Sequence, residues 1–137
     1  MSSHLRRLVR SRAGSRCEYC RFHEDDLPLW PFHVDHIVAG QHEGSDDPSN
    51  LAWACQRCNL HKGTNLPGID PDTGRIVRLF NPRKQKWHQH FTAEKERIAG
   101  LSAAGRATIW LLQMNISERR ELRIHLASLD RWPPPER

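Results

Sequence analysis

Cys17-Glu18-Tyr19-Cys20 and Cys55-Gln56-Arg57-Cys58 are the stretches whose reading decides how this chain folds. Two residues between cysteines let both thiolates of a tight turn face one ion. Two such knuckles complete a tetrahedral zinc site with bonds of about 2.3 Å. The chain has four cysteines, so none is left over. A disulfide framework competes for the same residues, but 137 residues is long for a disulfide-dense miniprotein. The start, Met1-Ser2-Ser3-His4-Leu5-Arg6-Arg7, also lacks the apolar stretch of an export signal. A redox dithiol needs one pair, whereas two matched pairs with polar knuckle residues suit a closed structural site. Zinc would tie residue 17 to residue 55, so residues 21–54 must form an excursion that leaves and returns.

Composition makes such a staple useful. Only 37% of residues are apolar and 7% aromatic, which leaves a modest core, and a structural zinc adds on the order of 10 kcal/mol to folding in small domains. The apolar runs are far shorter than the roughly 20 residues that cross a bilayer, so the expectation is a cytoplasmic protein of a bacterial or phage-like kind with no membrane role. The formal charge is +5 and the pI about 9.4, unevenly placed. Residues 1–16 carry five arginines and no acid, residues 17–75 four bases against ten acids, and residues 76–137 twelve bases against six acids. An acidic centre between basic flanks suits a polyanion held over carboxylates that hold a cation; a solvated surface with a basic arm is the plainer reading.

Within the excursion, residues 32–38 (Phe-His-Val-Asp-His-Ile-Val) are β-rich and read as a strand, followed by a polar loop punctuated by Gly and Pro. Leu51-Ala52-Trp53-Ala54 reads as a second strand running into Cys55, and residues 56–62 as a short helix stopped by Gly63. Trp53 is expected in the core. Further on, residues 75–80 read as a strand, 81–87 as a basic turn, and 103–114 and 117–129 as helices. The last of these has Ser117 as its N-cap and Leu122, Leu126 and Leu129 on one stripe. Trp132-Pro133-Pro134-Pro135 cannot continue a helix. The expected organisation is a single domain: a basic arm (1–13), a core (14–66), a mainly helical extension (67–130) and a Pro-rich tail (131–137).

The run His33-Val34-Asp35-His36-Ile37, a Gly-containing loop ending in Ser49-Asn50-Leu51, and Cys55-Gln56-Arg57-Cys58-Asn59-Leu60-His61-Lys62 together resemble an HNH endonuclease of the zinc-bearing kind, over residues 14–66. The resemblance implies an α+β fold with a ββα-metal (His-Me finger) core stapled by the four-cysteine zinc site. It implies that Cys17, Cys20, Cys55 and Cys58 hold structural Zn2+, that Asp35 and Asn59 hold a catalytic divalent metal, that His36 is the general base, and that Asn50 braces the loop. The helix position taken by Asn59 is often His in this family. An amide oxygen is a harder, weaker ligand than imidazole, which favours Mg2+ or Mn2+, with Ni2+ or Zn2+ as the alternatives.

The same residues suffice chemically. Phosphodiester hydrolysis needs a deprotonated nucleophile and charge neutralisation on the phosphoryl and leaving oxygens, and an imidazole takes a proton at neutral pH. Neighbours on a regular strand point to opposite faces, however, so Asp35 and His36 share a site only if the strand becomes irregular after His36. The open alternative pairs His33 with Asp35 at the metal and turns His36 into the core. Lys62, three residues past Asn59, meets either a phosphate or only the end of the helix dipole. His42 and His61 are expected at the surface. Arg83, Lys84 and Lys86, with His33, are candidate nucleic-acid contacts, whereas Trp87 and Phe91 suit packing.

These features lead to a metal-dependent endonuclease acting on DNA, mostly through its backbone. The alternative is a non-catalytic, zinc-stabilised module that binds nucleic acid. A protein partner or a second copy would supply specificity, because no sequence-reading motif is visible.

Overall fold

The computed structural model describes residues 1–136, which fall into two compact units. One comprises Met1–Leu66 with Asn81–Lys84, the other Pro67–Phe80 with the chain from Gln85 onward. Both mix helices with two-stranded antiparallel sheets. No helix among the described residues is long and apolar enough to cross a membrane.

The first unit begins with α1 (Ser3–Arg12), within the stretch read from sequence as a basic arm. Ser2 caps it, its hydroxyl accepting from the Leu5 amide at 3.1 Å, and Val9 is fully buried. Its arginines are exposed, yet three of them also bond to the protein. Arg6 donates to the Phe32 carbonyl at 2.8 Å and lies over the Trp53 ring, Arg10 pairs with Glu24, and Arg12 donates to the carbonyls of Pro48 and Leu51. Strands β1 (His33–His36) and β2 (Leu51–Ala54) pair antiparallel with Asp35 opposite Ala52 and His36 opposite Leu51, and α2 (Gln56–Lys62) follows at once. All four residues of β2 are buried, Trp53 among them.

Strand β1 is shorter than the expected 32–38, for a visible reason. Past His36 the Ile37 amide still donates to the Asn50 carbonyl at 2.9 Å, and beyond it the side chain of Asn50 replaces the partner strand. Its Oδ1 accepts from the Val38 amide at 2.9 Å, and its Nδ2 donates to the carbonyls of Val38 at 3.0 Å and Ser45 at 2.8 Å. The strand therefore ends at His36, and the loop that follows is held by a side chain instead of by a ladder.

The second unit was expected to be mainly helical and is mixed. It contains β3 (Pro67–Ile69) paired with β4 (Ile76–Arg78), the single turn α3 (Trp87–His90), the hairpin of β5 (Phe91–Glu94) and β6 (Arg97–Gly100), then α4 (Ala103–Leu111) and α5 (Ser117–Ser128). Trp87, Phe80 and Phe91 form an aromatic cluster with ring centroids 5.1 Å apart in the Phe80–Phe91 and Trp87–Phe91 pairs. On α5 the inward stripe is Arg119, Arg123 and Leu126, and Leu129 is exposed. Arg123 displaces the leucine stripe because its guanidinium has carbonyls to serve: it donates to Met114 O at 2.6 Å and Glu96 O at 3.0 Å.

Candidate metal centre and active site

The four cysteines are buried, and their sulfurs all lie within 4.8 Å of one another. Cys20 Sγ and Cys55 Sγ are 3.7 Å apart, against about 3.8 Å for two sulfurs of a tetrahedron with 2.3 Å zinc bonds. Each knuckle has the same internal bond: the Cys20 amide donates to Cys17 Sγ, and the Cys58 amide to Cys55 Sγ, both at 3.4 Å. Such bonds favour the thiolate form. Burial pushes the Cys17 thiol well above its ordinary value, and a bound cation would reverse that by taking the protons' place. Among the described residues this is the one cluster of three or more His, Cys, Asp or Glu groups arranged to hold a metal, and its geometry fits zinc.

The residues inside the first knuckle carry the site outward. Glu18 bonds β2 twice: its amide donates to Trp53 O at 2.8 Å, and its carboxylate accepts from Trp53 N at 2.7 Å. Its other oxygen takes Arg83. Tyr19 is wholly buried and donates from its hydroxyl to Asp35 Oδ2 at 2.6 Å. Burial first, then the Asp35 charge, holds its phenol well above the ordinary value, so it remains a donor.

Asp35 therefore points inward, 3% exposed. Its Oδ1 accepts from Lys62 Nζ at 3.2 Å, and the same ammonium donates to the carbonyls of His36 at 3.1 Å and Ile37 at 3.4 Å. Desolvation raises the Asp35 pKa, partly countered by Lys62 and by the Tyr19 hydroxyl. Lys62 is 2% exposed, so it is neither the solvated last-turn lysine nor the phosphate contact that its place on the helix suggested. Asn59, one turn earlier on α2, is half-buried.

His36 takes the opposite face. It is not packed into the core: its side chain is partly exposed, and Nε2 lies 2.7 Å from Asp46 Oδ1. His33 is held by Gln56, Nε2 to Oε1 at 3.4 Å. Of the other candidate contacts, Arg83 belongs to Glu18, whereas Lys84 and Lys86 are exposed. His42 is exposed and bonds the Thr64 carbonyl.

Sequence reasoning missed Tyr19 and Asp46. The signal for Tyr19 was a large aromatic inside a knuckle beside a core strand. Asp46 carried none, since Asp46 and Asp47 look alike, and only the fold sends Asp47 to cap Ser49 and Asp46 to His36.

Comparison with curated proteins and with solved structures gives no match. Comparison with family models does: residues 17–65, from the first knuckle cysteine to just past Lys62, match the model described as HNH endonuclease.

Proposed function

We propose that this protein is a metal-dependent endonuclease that hydrolyses DNA phosphodiester bonds, with His36 as general base. The observation that carries the reading is the environment of His36: a partly exposed imidazole at the end of β1, with one ring nitrogen 2.7 Å from a carboxylate. If Nε2–H donates to Asp46, the lone pair is left on Nδ1, the nitrogen then able to take a proton from water. Asn50 holds the carbonyls and amide beyond the strand end and so maintains the angle at which the ring is presented.

Asp35 and Asn59 supply hard oxygen donors, a set suited to Mg2+ or Mn2+. When bound, such an ion would neutralise charge on the phosphoryl and departing oxygens. The exposed Lys84 and Lys86 are candidates for backbone phosphates. The zinc site acts as scaffold: its first knuckle reaches Asp35 through Tyr19, and its second begins the helix that carries Asn59 and Lys62.

One observation favours the non-catalytic alternative: Asp35 is buried beneath Lys62 and Tyr19. Supercoiled plasmid incubated with Mg2+, Mn2+, Ni2+ or chelator separates the two readings. Nicking that requires metal and falls by 10²–10⁴-fold in His36→Ala, with zinc content and circular dichroism unchanged, supports the nuclease. Binding without product under every metal supports the module.

A further inference from the structure

Lys62 is buried to 2% exposure, and its ammonium has three acceptors in place: Asp35 Oδ1, His36 O and Ile37 O. An ammonium has three N–H donors, so the group is fully satisfied. Asp35 is satisfied as well, with Lys62 on one oxygen and the Tyr19 hydroxyl on the other. A carboxylate buried this deeply needs a counter-charge, and here the chain supplies its own.

We infer that Lys62 is the resident cation of Asp35 and competes with a divalent metal for that carboxylate. The inference rests on the reading of Asp35 as a metal ligand and adds a regulation to it. A divalent ion approaching Asp35 meets an ammonium 3.2 Å from the same carboxylate oxygen, and two cations cannot share that oxygen without strong repulsion in a desolvated site. Metal entry therefore requires Lys62 to withdraw. Its stem sits on the last residue of α2, directly before Gly63, where a rotamer change can carry the ammonium toward solvent without breaking the helix. Withdrawal also releases the carbonyls of His36 and Ile37, so metal occupancy and the backbone at His36 move together. The protein would remain closed at low metal and open above a threshold set by the strength of the Lys62–Asp35 pair.

The test is Mn2+ binding to the zinc-loaded full chain, followed by the electron paramagnetic resonance signal of free Mn2+, in wild type, Lys62→Met and Asp35→Asn. Methionine keeps much of the stem and removes the charge. Competition predicts at least tenfold tighter Mn2+ binding in Lys62→Met and loss of the site in Asp35→Asn. In wild type, acetylation of Lys62 by an N-hydroxysuccinimide ester, read by peptide mass spectrometry, should be slow without Mn2+ and several-fold faster at saturation. This arm needs no variant, so it decides the matter if Lys62→Met does not fold. Wild-type binding that depends on Asp35 but is equal or tighter than in Lys62→Met, or Lys62 still protected at saturation, overturns the competition and leaves the metal site standing. Mn2+ binding insensitive to Asp35→Asn removes the metal site itself, and the competition with it.

Discussion

His36 Nε2 and Asp46 Oδ1 stand 2.7 Å apart, joined across the loop between β1 and β2. The carboxylate is largely exposed and the imidazole partly so, so the pair contributes little to stability. Its consequence is orientation: it selects which ring nitrogen carries the proton. Asp46→Ala should leave folding and KM for plasmid nearly unchanged and lower kcat by about 10- to 100-fold, the scale on which partners that orient an imidazole act. Steady-state nicking gives the split directly. The share of the neutral ring in the Nε2–H tautomer, read from 15N shifts of His36, should be lower in the variant than in wild type. A variant with wild-type kcat would show that Asp46 is a bystander.

Zinc removal tests the scaffold. The sulfurs are buried and gathered within 4.8 Å, and a structural zinc is worth on the order of 10 kcal/mol, comparable to the whole stability of an ordinary domain. Cys58→Ala should lose bound zinc by elemental analysis and lose the order of α2, whose N-terminal cap is the neighbouring Cys55. A variant that retains one zinc per chain and its full helical signal would contradict a four-cysteine site.

The segment over residues 17–65 was legible because its signals are local and discrete. Cysteine spacing, a four-residue strand, a glycine at a helix end and an asparagine before a strand each constrain the backbone within a few residues. What escaped notice depends on partners distant in sequence. Lys62 looks like any helix-terminal lysine until Asp35, 27 residues away, is brought beneath it. The arginines of α1 look like a solvated arm until the carbonyls of Phe32, Pro48 and Leu51 come within reach. The β5–β6 hairpin escaped for another reason. Its turn is Lys95-Glu96, with Lys95 at φ 55°, so no glycine or asparagine marks a left-handed position that the chain nevertheless adopts.

Gly44 offers a test of the loop that carries Asp46. A Cβ built there would overlap the Val38 carbonyl, the same carbonyl that accepts from Asn50 Nδ2. The backbone cannot yield without disturbing the Asn50 brace. Gly44→Ala should therefore reduce nicking sharply while zinc content stays at wild type, because the knuckles lie elsewhere in the segment. Gly40→Ala is the matched control, since nothing lies within 4 Å of a Cβ at that position. Equal activity in the two variants would disconnect the loop from the site.

The second unit has its own buried ion pair, and it makes a prediction about acid. Asp70 is fully buried. It accepts from Arg106 Nε at 3.0 Å and Nη2 at 2.9 Å, from Thr73 Oγ1 at 3.0 Å and from the Asp72 amide at 3.0 Å. The Arg106 bonds above all hold its carboxyl far below the ordinary aspartate value of about 3.9. The unfolded chain then takes up a proton before the folded one does. The pair's contribution is complete above the ordinary value and drains away as pH falls through it toward the folded value. Asp70→Asn removes that dependence and leaves the guanidinium with the Asp72 carboxylate as its ionic partner, at 3.2 Å. At pH 7 the variant should unfold at a clearly lower urea concentration than wild type, and by pH 3 the gap between the two midpoints should be narrower. A gap that stays constant, or widens in acid, would mean that Asp70 is already protonated in the folded protein and that Arg106 does not hold its charge.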